Sequence, residues 1–197
     1  MLGKLLLALA LILAPVQSIK AGQIKPENRV PNVNVGIGLC WFCCLEMIGR
    51  ENNMPRLYDL REWVTIDGTG RDIGASREDM VYWFFKTNTP YAFNSDKTND
   101  AFLTAAIENG FTPIVGITIP FGYDKFRRPI WGNHAIVLTD IYEAADGKWY
   151  VKFIDPNTIA QEQWRSWAWF KGRWNGDAHI IGHGKWFPQK ATEVNPH

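Results

Sequence analysis

Apolar side chains recur at helical spacing in the first half of the chain and at strand spacing in the second. Trp41, Cys44, Leu45 and Ile48 fall at i, i+3, i+4 and i+7. That stripe predicts a buried helix starting at or next to Cys40 and ended by Asn52-Asn53-Met54-Pro55. The preceding residues 22–39 are rich in Asn, Pro, Val and Gly and read as an extended lead-in. Residues 57–75 are irregular, with a short helix at Tyr58–Val64 and then a Gly-rich loop. Ser76 and Asp79 make a capping-box-like start for a helix through Phe85. Another helix is predicted from Asn99 to Glu108, with Phe102, Leu103, Ala106 and Ile107 on one side and Gly110 as its stop. The period then changes. Pro113–Ile119 is a compact β-branched run, and His134–Tyr142 and Lys148–Asp155 flank an Asp146-Gly147 turn, the pattern of a hairpin. Gln161–Trp169 reads as an aromatic helix and His179–Phe187 as a last strand. Helices first and strands later predict an α+β fold, a helical subdomain against an antiparallel sheet.

The N-terminus departs from this pattern. Met1-Leu2-Gly3-Lys4 precedes an uncharged run from Leu5 to Ala14 and then Pro15-Val16-Gln17-Ser18-Ile19-Lys20-Ala21. A basic start, a short apolar run and small residues beyond it predict a secretory signal peptide over residues 1–21, cut after Ser18 or after Ala21. The run falls short of the roughly twenty apolar residues of a spanning helix, and no cysteine follows it for lipid attachment. The expected product is one domain, residues 22–197, secreted or periplasmic, with no stable membrane association once the signal is gone. With a hydrophobic content of 46%, the chain has enough apolar material for a core. A formal net charge of +1, without a basic run or stripe, argues against a nucleic-acid partner.

Export makes the cysteines informative. All three lie in Cys40-Trp41-Phe42-Cys43-Cys44, so no bridge between distant segments is available. An odd thiol in an exported chain points to a free, reactive cysteine. Cys40 stands where a Gly-containing loop enters a helix, and the partial positive charge there favours a thiolate. The hairpin makes a geometric claim of its own. If Ala144-Ala145-Asp146-Gly147 is the loop, Glu143 faces Lys148, Tyr142 faces Trp149 and Ile136 faces Asp155. Cross-strand partners share a face, so His134 and Asp155 become diagonal neighbours on one face. A carboxylate there would fix the imidazole tautomer and make His134 a base for Cys40. The first N–H groups of the helix would face a developing oxyanion, and the Asn34 amide is a candidate second donor. The alternatives on these residues are a structural His–Asp hydrogen bond and a buried structural thiol.

Gly38-Leu39-Cys40-Trp41 resembles the Gly-x-Cys-Trp nucleophile motif of papain-like cysteine peptidases, and Asn133-His134-Ala135-Ile136 resembles their Asn-His-Ala-Val motif. Gly110-Phe111-Thr112-Pro113-Ile114-Val115-Gly116-Ile117, followed by the histidine strand and Ile154-Asp155-Pro156-Asn157, is similar to the bacterial branch related to bacteriocin-leader-processing (double-glycine) peptidases. The resemblance spans roughly residues 30–158, with Cys, His and Asp in the family's order. It implies a papain-like fold, a Cys40–His134–Asp155 triad, a peptide or protein substrate and no cofactor. The family has Gln where Asn34 stands, one methylene longer. Papain's Asn third member, with the Trp-containing motif after it, is missing, and Cys43 and Cys44 lie outside the pattern.

Other residues admit other readings. Cys44 falls on the buried stripe and is expected in the core. Trp164, Trp167, Trp169, Phe170, Trp174 and Trp186 read as core, with a substrate-cleft wall as the alternative. His179 and His183 compete with His134 as base. Clustered cysteines without a second ligand pair argue against zinc. Rival functions are an amidase or transglutaminase-like acyl transferase on the same triad, a Cys40-x-x-Cys43 thiol-disulfide oxidoreductase and a non-catalytic papain-fold binding protein. The oxidoreductase would need a βαβ context.

Overall fold

The computed structural model describes residues 18–20, 22–32, 39–57, 84 and 89–181. The fold is α+β. Its strands are β1 (Ser18–Lys20), β2 (Tyr91–Asn94), β3 (Ile114–Tyr123), β4 (Pro129–Glu143), β5 (Trp149–Asp155), β6 (Gln161–Ser166) and β7 (Trp174–Ile181). Six of them form one sheet path in the order β2-β7-β3-β4-β5-β6, and β1 pairs with β4 beside it. All of these pairings are antiparallel. The helices are α1 (Cys40–Glu51), α2 (Asp100–Glu108) and α3 (Trp167–Lys171).

Alternation along the strands sends apolar side chains to both sides of this sheet. Ala135 and Val137 of β4 join Ile114 and Ile154 in a cluster built around α1. Ile136 and Leu138 join Val115, Ile117, Val151 and Phe153 in a second cluster with α2 and α3. A strand buried on both faces reads as a continuous apolar run, as Ala135–Leu138 does. α1 is central: every residue from Cys40 to Gly49 is buried, beyond the predicted stripe. Each fully buried side chain such as Leu45 or Ile48 contributes about 1.5–3 kcal/mol relative to exposure.

Local signals account for most element ends. The Asn99 side chain accepts from the Phe102 N–H at 3.2 Å and caps α2. Gly110, at φ +80°, takes the left-handed conformation that ends it.

The sheet departs from the sequence reading in several places, and the last strand begins at Trp174, five residues before the expected His179. Gln161–Ser166 is strand β6 rather than helix, because it pairs with β5 along its whole length; only Trp167–Lys171 is helical. Tyr91–Asn94, to which the sequence reading assigned no element, is an edge strand paired with β7. The β4–β5 loop is one residue longer than expected, so Glu143 faces Trp149 and Tyr142 faces Tyr150. An irregularity between Leu138 and Asp140 then removes that offset, and Leu138↔Phe153 and Val137↔Ile154 recover the expected pairing. The predicted helices at Tyr58–Val64 and Ser76–Phe85 lie outside the described residues, save Phe84, which is helical and buried. Residues 1–17 and 21 also lie outside them. Cleavage after Ala21 would remove β1, whereas cleavage after Ser18 would keep Ile19 and Lys20 of it.

Candidate active site

Three elements meet at the end of the β4–β5 hairpin. β4 carries His134, β5 ends at Asp155, and α1, which begins at Cys40, also packs against the Pro156–Thr158 turn. His134 Nε2 donates to Asp155 Oδ1 at 2.7 Å. A carboxylate can only accept, so the proton on Nε2 leaves the Nδ1 lone pair for the other side of the ring. Nδ1 is buried and makes no hydrogen bond of standard geometry within the protein. The Cys40 thiol nevertheless lies close enough to act on this ring.

The electrostatics follow from that placement. Burial alone pulls the His134 pKa down, but the hydrogen bond to Asp155, the contact with Cys40 and the charges of both outweigh it. The imidazole pKa rises from 6.5 to about 9. The ring therefore stays protonated at neutral pH when thiolate and carboxylate flank it. Cys40 sits in the first turn of a 12-residue helix that has no acidic residue there to offset its positive end. At Cys44, one turn on, burial first and then the charges of Cys40, Cys43 and Asp155 push the pKa well up. Cys40 keeps 7% of its surface exposed while Cys43 and Cys44 keep none, so the three thiols are not equivalent. None of the three is in a disulfide, and all three belong to the buried cluster around α1.

Asp155 is itself held. Its Oδ1 also accepts from the Asn157 N–H at 2.8 Å, an Asx turn that opens the Pro156–Thr158 turn. The Asn157 side chain accepts in turn from Asn32 Nδ2 at 2.9 Å, and the Asn32 N–H donates to the Pro156 carbonyl at 2.8 Å. The lead-in segment thus ties down the loop that aims the carboxylate. Sequence reading missed Asn157, although Asp-Pro-Asn is an Asx-turn signal. It also missed Phe121, which stands edge-on to the His134 ring at 6.3 Å between centroids. Gly132 makes room for it, since a Cβ there would lie 2.7 Å from the Phe121 ring.

His179 packs edge-to-face on Trp41 at 5.0 Å and stacks with Phe93. His183, Trp186 and Asn34 lie outside the described residues. Phe170 and Trp174 are fully buried and Trp167 and Trp169 pack against the core, while Trp164 stands in solvent. Among the described residues no cluster of His, Cys, Asp and Glu could hold a metal ion, and no helix is long and apolar enough to cross a membrane. No protein-family model and no curated protein matches this chain.

Proposed function

We propose that this chain is an exported cysteine peptidase of papain-like fold, acting through Cys40, His134 and Asp155. The observation that carries the reading is the ring of His134, held at Nε2 by a carboxylate and acted on by a thiol at a helix start. The acid that holds the ring is itself held by the Asn157 N–H, and Asn157 in turn by the Asn32 side chain.

In the proposed cycle the Cys40 thiolate attacks an amide carbonyl and forms a tetrahedral adduct. The Cys40 backbone N–H and the Asn34 amide hold its oxyanion. The adduct collapses to a thioester as His134 gives its proton to the leaving amine. His134 then takes a proton from water, the hydroxide attacks the thioester, and the second collapse returns the acid and the Cys40 thiolate. Asp155 keeps the ring turned toward sulfur and stabilises its cationic form. The substrate class is a peptide or protein, and neither cofactor nor nucleic acid takes part.

An amidase or transglutaminase-like acyl transferase would share every step up to the thioester. The antiparallel pairing throughout the described sheet favours either over a thioredoxin-like oxidoreductase, whose βαβ unit needs a parallel pair. A peptide-library screen with intact-mass detection tests the reading. Hydrolysis with a thioester adduct on Cys40, absent in Cys40→Ala, is the expected outcome. Products that carry an added amine would assign the acyl transferase instead, and no cleavage of any peptide would contradict the peptidase.

A further inference from the structure

The β3–β4 hairpin runs past the catalytic histidine and ends in a tip at residues 120–132 that buries almost nothing of its own. Among the described residues eight large apolar side chains stand in solvent, and five are here: Phe121, Tyr123, Phe126, Ile130 and Trp131. Tyr123 is 71% exposed and Phe126 66%. Large contiguous apolar exposure on a folded chain marks a surface made to be covered.

Register says how these groups are arranged. Gly122 pairs with Ile130 and Tyr123 with Pro129, and a bulge separates Pro120 from Gly122. Tyr123 therefore shares a face with Pro129 and Trp131, while Phe121 lies over Gly132 on the face that also bears Ile130. The tip is apolar on both faces. A cleft wall needs only one such face; a finger that enters a medium needs both. The turn between the strands adds charge, with Lys125, Arg127 and Arg128 against the single carboxylate of Asp124. Asp124 is spent within the loop, accepting from the Phe126 and Arg128 N–H groups at 2.8 and 2.9 Å and from Arg128 Nε at 2.8 Å. These bonds hold the loop in one shape, so little ordering is left to be done on contact.

We propose that this tip docks the protein reversibly on an anionic lipid bilayer, with the aromatic side chains in the interfacial layer and Lys125 and Arg127 against the headgroups. Aromatic residues with a polar or ring-edge handle favour the membrane interface, and lysine and arginine beside them select anionic lipid. The sequence expectation of no membrane association weighed apolar runs and net charge, neither of which registers a cluster assembled by a hairpin. Trp131 and His134 are three residues apart on β4, roughly 10 Å, so docking would bring the site to membrane-proximal substrate. The proposal stands on the tip alone and does not require the thiol chemistry.

Sedimentation of the signal-free full chain with vesicles tests it, using phosphatidylcholine alone against a 7:3 mixture with phosphatidylglycerol. Binding to the anionic vesicles only, weakened by salt, is expected. Lys125→Gln/Arg127→Gln should weaken it about 30-fold, since each cation near such a surface contributes about a factor of five. Tyr123→Ser/Phe126→Ser should weaken it at least about 10-fold. All four side chains are exposed and outside the core, and unchanged thermal melting would verify the fold. Trp164→Ser, an exposed tryptophan on β6, should leave binding as it was. The proposal is overturned if the wild type ignores anionic vesicles at low salt, or if tip and Trp164 variants bind alike. It is equally overturned if the tip variants abolish only a concentration-dependent dimer, which would assign the surface to a second copy of the chain.

Discussion

Two buried histidines sit in the same sheet, each about 1% exposed, in different surroundings. His134 on β4 meets a carboxylate and a thiol; His179 on β7 meets the rings of Trp41 and Phe93. Consecutive residues of α1 serve the two, Trp41 packing on one and Cys40 acting on the other. Burial alone therefore does not tell the two rings apart. What marks the His134 ring is a carboxylate at 2.7 Å on one nitrogen and a thiol close enough to act on the ring.

The comparison breaks most sharply at the nucleophile. Cys40→Ala or Cys40→Ser should abolish detectable peptide hydrolysis while leaving circular dichroism and melting near wild type. His134→Ala should lower kcat/KM by about a thousandfold or more. His179→Leu should leave kcat/KM within about threefold and lower stability by about 1–3 kcal/mol through its aromatic packing. A collapse of hydrolysis in folded His179→Leu would reverse the assignment.

Asp155→Ala comes next: a loss of about 10²- to 10⁴-fold rather than complete inactivation, read in kcat at saturating substrate. Activity equal to wild type would remove Asp155 from the mechanism. Asn34→Ala should cost about 10- to 1000-fold if its amide holds the oxyanion; a negligible change would leave the backbone N–H groups to do so.

The pH dependence is the finest test. The folded His134 pKa of about 9 lies above the ordinary 6.5, so the folded protein holds this proton more tightly than the unfolded chain. That stabilisation is full below about pH 6.5 and is lost as pH climbs through about 9. Activity that needs the imidazolium should fall on an alkaline limb over the same range. In Asp155→Asn the limb should move down toward 6.5, because the carboxylate whose hydrogen bond does most to hold the proton on the ring is gone. A limb that stays in place would separate it from this histidine.

Much of this arrangement was legible in the sequence because its signals are local. The stripe Trp41, Cys44, Leu45, Ile48 defined α1, Asn99 and Gly110 bounded α2, and the alternation on either side of Asp146-Gly147 defined the β4–β5 hairpin. The pairing of His134 with Asp155 was also expected, but through two compensating errors: a loop one residue longer and an irregularity at Thr139 that takes the residue back. Bulges have no reliable signature in one sequence, so register near them is legible only in space. β2 and β6 were missed for a related reason. Tyr91–Asn94 and Gln161–Ser166 become strands because β7 and β5 offer them free edges, which is tertiary context overriding local preference. The exposed hairpin tip was invisible for want of any periodicity that distinguishes a side chain in solvent from one in the core.

The coupling of sulfur, ring and acid is tested most directly by the iodoacetamide alkylation rate of Cys40 at neutral pH. It would be followed by peptide mass spectrometry in wild type, His134→Ala and His179→Leu. Fast labelling at Cys40 but not at Cys43 or Cys44, slowed strongly in His134→Ala and unchanged in His179→Leu, is the predicted result. Equal rates in wild type and His134→Ala, or labelling spread over all three thiols, would contradict it.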